Sequence, residues 1–278
     1  MMRLGDLIVK QSKALLENKQ HAILGAVVLS MLPFTTWLAV ALVALVTLRK
    51  GGSHGFEVML AALVFHSVPL MLILPLSSVL INTLITFVPA FIAAKVLRDR
   101  LSWPAVFGAL FLQVALVCLS LQLLVPHFVI DQFNQFKTLL NQYPEYQQLM
   151  ELSTEGMSHI VLAQLFFGMQ LFSVVVSATI SLMCARSIQA KLFIPGGFRE
   201  EVLAFRAGRL AFLVLLSVAI AAYYQSSVAI NLLPMVLSYF ILSGFGLAHF
   251  ILGRKNQIRV LILLVLLLLV KPTFMVFA

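Results

Sequence analysis

The stretch Pro104–Val125, PAVFGALFLQVALVCLSLQLLV, carries no Asp, Glu, Lys or Arg in 22 residues. A helix of that length rises about 33 Å, enough to cross the ~30 Å hydrocarbon core of a bilayer. Ala211–Leu252 is a second uncharged stretch, nearly twice as long. Outward from these two, short charged clusters alternate with apolar runs along the whole chain. The expected fold is an all-α, polytopic transmembrane helix bundle.

Composition agrees. Hydrophobic residues make up 62% of the chain and charged residues 10%, against about 25% charged in ordinary soluble domains. The formal net charge is +9. The basic residues sit at the ends of apolar runs, which points to anionic lipid headgroups and not to nucleic acid. Cys118 and Cys184 both fall in or at the end of apolar runs and suggest neither a disulfide framework nor a metal site.

The placement of charge sets an expected topology. Residues 3–20 interleave Leu4, Leu7, Ile8, Leu15 and Leu16 with lysines, the pattern of an amphipathic helix on the cytoplasmic membrane surface. This basic start is long and the apolar run after it has no clear cleavage site, so it is expected to be retained. Ala22–Leu48 is either one tilted span or two short helices, 22–33 and 34–48, hinged at Pro33. The hairpin is preferred because it keeps Arg49 and Lys50 on the lysine-rich side. Further segments are expected at 56–74, 76–97 after Pro75, 104–125, 160–185, 210–224, 228–252 and 261–277, about eight or nine in all. Residues 21–278 then form a single transmembrane domain, with the N-terminus cytoplasmic.

Two long connections remain. Residues 126–159 hold Lys137 against Asp131, Glu145, Glu151 and Glu155, and read as external. Phe128, Phe133, Phe136 and Leu140, then Leu149 and Leu152, recur near helical spacing on either side of Tyr143-Pro144. Two amphipathic helices are expected, resting on the outer leaflet or forming a lid over an outward-facing cavity. Residues 186–209 form the largest cytoplasmic loop.

No catalytic signature appears, so the protein is not expected to be an enzyme, and no cofactor or metal is implied. The middles of the expected spans lack Asp and Glu, where proton-driven carriers place ionisable groups. His66 and His249 read as packing residues. His54 and Glu57 read as an interfacial anchor or helix-start ion pair.

Neutral polar residues are better organised. Ser78, Asn82 and Thr86 share one helix face, and Gln170, Ser173, Ser177 and Ser181 share another. Gln113 lies seven before Ser120, and Asn231 seven before Ser238. Such faces turn inward in a bundle. They either hydrogen-bond between helices or line a polar pocket for a small neutral or zwitterionic ligand. Ala22, Ala26 and Ser30 form a small-xxx-small packing row, for this chain or for a partner subunit.

The sharpest motif spans Arg186 to Glu201. Pro195-Gly196-Gly197 stops one helix and Phe198 begins another, with Glu200 and Glu201 in its first turn. Arg199 and Arg206 share a face, and Arg209 follows. The basic residues either bind lipid phosphate or dock a cytoplasmic protein. Arg186, Gln189, Ala190, Pro195, Gly196, Gly197, Phe198 and Glu201 resemble the Arg-x-x-Gln-Ala…Pro-Gly-Gly-Phe-x-x-Glu region of a YybS-like family of uncharacterised bacterial inner-membrane proteins. The resemblance implies the bacterial cytoplasmic membrane and brings no activity. That family is distantly similar to the S components of energy-coupling-factor importers, which meet their coupling subunit through small-xxx-small rows like Ala22, Ala26 and Ser30.

Two expectations follow. One is a substrate-binding component of a small-molecule importer, driven by coupling subunits. The other is a scaffold that docks a cytoplasmic partner through 186–209.

Overall fold

A computed structural model of the protein describes residues 4–32, 34–72, 76–142 and 156–254. Pro33, Pro75, Tyr143-Pro144, Leu149, Leu152 and the expected last segment at 261–277 lie outside the described residues. So do the side chains of Ser78, Arg199 and His249.

Among the described residues the chain is helical throughout. In order the helices are α1 (Leu4–Glu17), α2 (Lys19–Met31), α3 (Thr36–Lys50), α4 (Gly52–Met71), α5 (Leu76–Arg100), α6 (Trp103–Leu124), α7 (Phe128–Leu140), α8 (His159–Phe193), α9 (Gly197–Ala204), α10 (Arg209–Tyr223) and α11 (Ser227–Arg254). Five stretches among the described residues are long and apolar enough to cross a membrane: Gly52–Met71, Val79–Arg100, Trp103–Leu124, His159–Phe193 and Ser227–Ala248. Their outer faces are apolar and exposed, as with Leu60, Val64 and Val68 on α4 or Leu112, Leu116 and Leu123 on α6. Water-soluble proteins rarely leave such continuous patches bare, and lipid covers them at no cost. The protein is a multi-pass membrane protein. The eight or nine segments expected are not reached among the described residues. α10, at 15 residues, is apolar but short.

Contacts gather the chain into two compact units. The first comprises Met1–Leu110 and Val174–Phe205, the second Phe111–Ser173 and Arg206–Ala278. α6 and α8 each contribute to both.

The first unit is built around α3. Ten successive residues, Ala39 to Leu48, are buried, and a helix apolar on every face belongs in a core. α2, α4 and α5 pack against it. Between lipid-facing helices the driving force is close van der Waals contact, not removal of water, so small residues at the crossings matter most. At the α3–α4 crossing a methyl group on Gly55 would overlap Thr47, its carbon 1.9 Å from Oγ1 and 3.0 Å from the Thr47 Cα. Glycine is therefore required there.

Residues 22–48 form two helices, α2 and α3, packed on one another, as the hairpin reading expected. At 13 and 15 residues they rise about 20 and 22 Å, each short of the ~30 Å core. Thr35 Oγ1 donates to the Leu29 carbonyl at 2.7 Å near the bend. Ala22, Ala26 and Ser30 are buried at 3%, 0% and 2% exposure. The row is covered within the chain, so this structure does not offer it to a coupling subunit.

α1 forms where the lysine-leucine pattern predicted a helix. Leu16 is buried and Leu15 sits against Gly25 of α2, so part of its apolar face is spent on protein contact. Lys19 pairs with Glu57 across α2 and α4, so the ion pair at Glu57 is made with Lys19. His66 Nδ1 lies 3.0 Å from the Ser30 carbonyl, and its ring meets Phe87 edge-on, the packing role expected of it.

α8 runs past the expected membrane edge at Ala185. Its 35 residues rise about 52 Å, so the expected loop at 186–209 begins with two further helical turns and then holds α9. Only the turn at 194–196 and the stretch 205–208 are non-helical.

Candidate functional site

Two places concentrate polar chemistry, one in each unit. The first is the motif around the Pro195-Gly196-Gly197 turn. Gly196 adopts φ 90°, and Gly197 N–H donates to the Ile194 carbonyl at 3.1 Å. The left-handed residue reverses the chain so that α9 folds back along the end of α8.

This return brings Glu201 onto Arg186. The Arg186 Nε donates to both Glu201 oxygens at 3.1 Å, and Nη2 also pairs with Oε1. Trp103 Nε1 donates to Oε2 at 3.2 Å, and Phe198 meets the Trp103 ring edge-on. Arg186 Nη1 donates to Gln189 Oε1 at 2.6 Å, and Gln189 Nε2 donates to the Leu48 carbonyl at 3.2 Å. That carbonyl is among the last of α3, where intrahelical donors run out. Its neighbour, the Thr47 carbonyl, accepts from Arg98 Nη1 at 3.1 Å. Two side chains thus close the C-terminal end of the buried helix, and the Arg98 cation suits the negative end of its dipole.

The motif is therefore a clasp. Arg186 and Gln189, expected to face lipid or a partner, are buried at 6% and 9% exposure and committed inside the protein. Pro195, Gly196 and Phe198 form and seat the turn. Arg206 and Arg209 remain exposed. Glu201, near the start of α9 and part of the motif, is the acid that closes the clasp. Its role was visible in the sequence as an opposite charge placed just across a forced turn from Arg186.

The second place lies in the other unit, where α6, α8 and α11 meet. Gln164 and Gly168 stand one turn apart on α8. A methyl group on Gly168 would come within 2.9 Å of the Asn231 carbonyl oxygen and 3.0 Å of its Cα, so α8 and α11 touch backbone to backbone. The Asn231 side chain faces the Cys118 thiol of α6. Asn231 and Gln164 are 4% and 9% exposed, yet Asn231 Oδ1 and Gln164 Oε1 have no hydrogen-bond partner within the protein. A buried carboxamide oxygen left unpaired costs about 1–3 kcal/mol. Cys118 lies about 9 Å along α6 from its C-terminal end, and Gln164 and Asn231 about 8 and 6 Å along their helices from the N-terminal ends.

α7 is docked at that end by aromatic contacts. Phe133 is buried against His159 and Phe166, Phe136 stacks on Phe166 at 4.4 Å, and Phe128 meets Phe167. Its polar face, with Asp131, Asn134 and Lys137, is exposed. The first of the two expected amphipathic helices is thus seated on the start of α8, against His159, Phe166 and Phe167.

The expected polar stripes divide. Asn231 is central to this place, and Gln113 is half-buried on α6. Asn82, Gln170, Ser173 and Ser177 are exposed, and Thr86 is half-buried. Thr86 Oγ1 donates to the Asn82 carbonyl and Ser173 Oγ to the Gln170 carbonyl, each on its own helix. Hydroxyls can satisfy themselves this way, so a stripe of them need not mark a pocket. A carboxamide oxygen inside a helix lacks that option, because the backbone N–H groups beside it are already used, and Gln164 lies on a buried side of α8, away from the exposed Gln170. Ser181 bridges to the Trp37 carbonyl of α3 at 3.1 Å, an inter-helix bond of the kind anticipated. No family model matches the chain, and no curated protein or solved structure is similar to it.

Proposed function

We propose that the chain is the substrate-binding component of a small-molecule importer, seated in the bacterial cytoplasmic membrane and driven by other subunits. The observation that carries this reading is the pair of buried, unpartnered carboxamide oxygens at Gln164 and Asn231. A membrane bundle that gains nothing from them structurally retains them for a guest. The buried residues of the described spans include no Asp or Glu, which fits a component that takes its energy from elsewhere.

The test is purification of the tagged protein in mild detergent, with mass spectrometry of co-purifying proteins and small molecules. The expected result is an ATP-binding-cassette pair with a membrane coupling subunit, and a metabolite lost in Asn231→Leu and Gln164→Leu. An unchanged set of bound molecules and unchanged uptake in both variants sink the reading.

A second reading, a scaffold docking a cytoplasmic protein through residues 186–209, draws on the exposed Ile194 just past the end of α8. It predicts loss of a co-purifying protein in Ile194→Asp. Survival of every partner in that variant removes it.

A further inference from the structure

We infer that the molecule held at the Gln164–Asn231 site is uncharged and is recognised through hydrogen-bond donors. This rests on the importer reading and specifies the substrate class for it. The free groups on the protein side are two carboxamide oxygens, Gln164 Oε1 and Asn231 Oδ1, both acceptors. An acceptor pair selects N–H or O–H groups on the ligand and rejects an isostere without them, because the buried oxygens then stay unpaired.

Among the described residues of this unit no charged side chain is buried: Asp131, Lys137, Arg206 and Arg209 are exposed, and so is His159, at the start of α8. On the three helices that carry these groups the buried side chains beside them in sequence are apolar, among them Val114, Ala163, Phe167 and Ile230. Among the described side chains an ammonium or carboxylate brought here would find no buried counter-charge, and losing its hydration costs several kcal/mol that two neutral hydrogen bonds do not offset. The apolar rings and aliphatic groups suit the remainder of a small neutral molecule. A neutral donor such as a primary amide, a lactam N–H or a hydroxyl-bearing ring fits; amino acids, carboxylic acids and polyamines do not.

The probe is an aqueous extract of the cells that express the protein, split by ion exchange into neutral, cationic and anionic fractions. Each is added to the detergent-purified full-length protein, and thermal unfolding is followed. The neutral fraction is expected to raise the melting temperature in proportion to the amount added. The dose needed rises about ten-fold or more in Gln164→Met, and Asn82→Leu, on an exposed face of the other unit, behaves as wild type. Should Asn231→Leu fold poorly, Asn231→Asp serves in its place: the new carboxylate moves the response from the neutral to the cationic fraction. Stabilisation of wild type by a charged fraction alone, abolished by Gln164→Met, overturns the ligand class and leaves the importer reading standing. Absence of stabilisation by every fraction overturns both and assigns the site to bound water.

Discussion

Removing the Glu201 carboxylate tests the clasp most sharply. In Glu201→Ala, Arg186 loses its three bonds to the carboxylate and keeps only Nη1 to Gln189, while Trp103 Nε1 loses its acceptor. The Arg186 side chain is 7% exposed and that of Glu201 23%. Stranding one member of a fully buried pair costs about 3–5 kcal/mol. Glu201 is partly open to solvent and Gln189 still faces the guanidinium, so about 3 kcal/mol is expected here. For a chain of this size that is a fall of about 5–10 °C in melting temperature. Scanning fluorimetry in detergent measures it. The control is Arg186→Met with Glu201→Leu, which removes both charges and replaces them with apolar volume. Buried pairs exchanged in this way are often neutral, so the double variant should recover most of the loss. If the single and double variants both melt within about 1 °C of wild type, the pair is not seated as described and the clasp is wrong.

Four further outcomes follow from other contacts. Gly55→Ala should separate α3 from α4 and destabilise more than Glu201→Ala, because the new carbon meets Thr47 backbone and side chain together; wild-type melting would refute that crossing. Gly196→Ala meets no neighbour but forces φ 90° on a residue with a Cβ, so a modest loss of about 1 kcal/mol is expected, read as faster proteolysis at the turn. Phe133→Ala should cost about 3 kcal/mol and raise amide exchange across Phe128–Leu140, since Phe133 anchors α7 to α8; unchanged exchange would detach α7 from that role. Cysteines placed at Lys137 and Lys191 should react with an impermeant thiol reagent from opposite sides of the membrane, and labelling from one side would deny that α8 crosses it.

The spans were readable because charges and prolines bracket them. The ends of α4, α5, α6, α10 and α11 lie within a few residues of those expected. α8 was the exception, for a physical reason: Arg186 and Lys191 mark where apolar solvent ends, not where backbone hydrogen bonding ends. Counting polar residues by stripe favoured the hydroxyl-rich face of α8. The local carbonyl bonds of Thr86 and Ser173 show why that count misleads, since a serine in a helix carries its own acceptor supply. The arginines of the motif invited a surface reading because a sequence displays charge without its partner. Arg186 found its partner 15 residues on, in Glu201, only after Gly196 turned the chain.

The Leu48 carbonyl is closed by Gln189, 141 residues later in the chain. At a synthesis rate of about 5–20 residues per second, that partner emerges about 7–28 s after the helix it completes. For that interval α3 exists as an apolar segment too short for the bilayer core, with an open end. It can neither span the bilayer alone nor be finished by its neighbours in sequence. The amino-terminal hairpin must therefore wait in a provisional state, held by the insertion machinery or by α4 and α5, until α8 arrives. A truncation that ends before α8 would leave a nascent chain marked for degradation, however well each of its helices had formed.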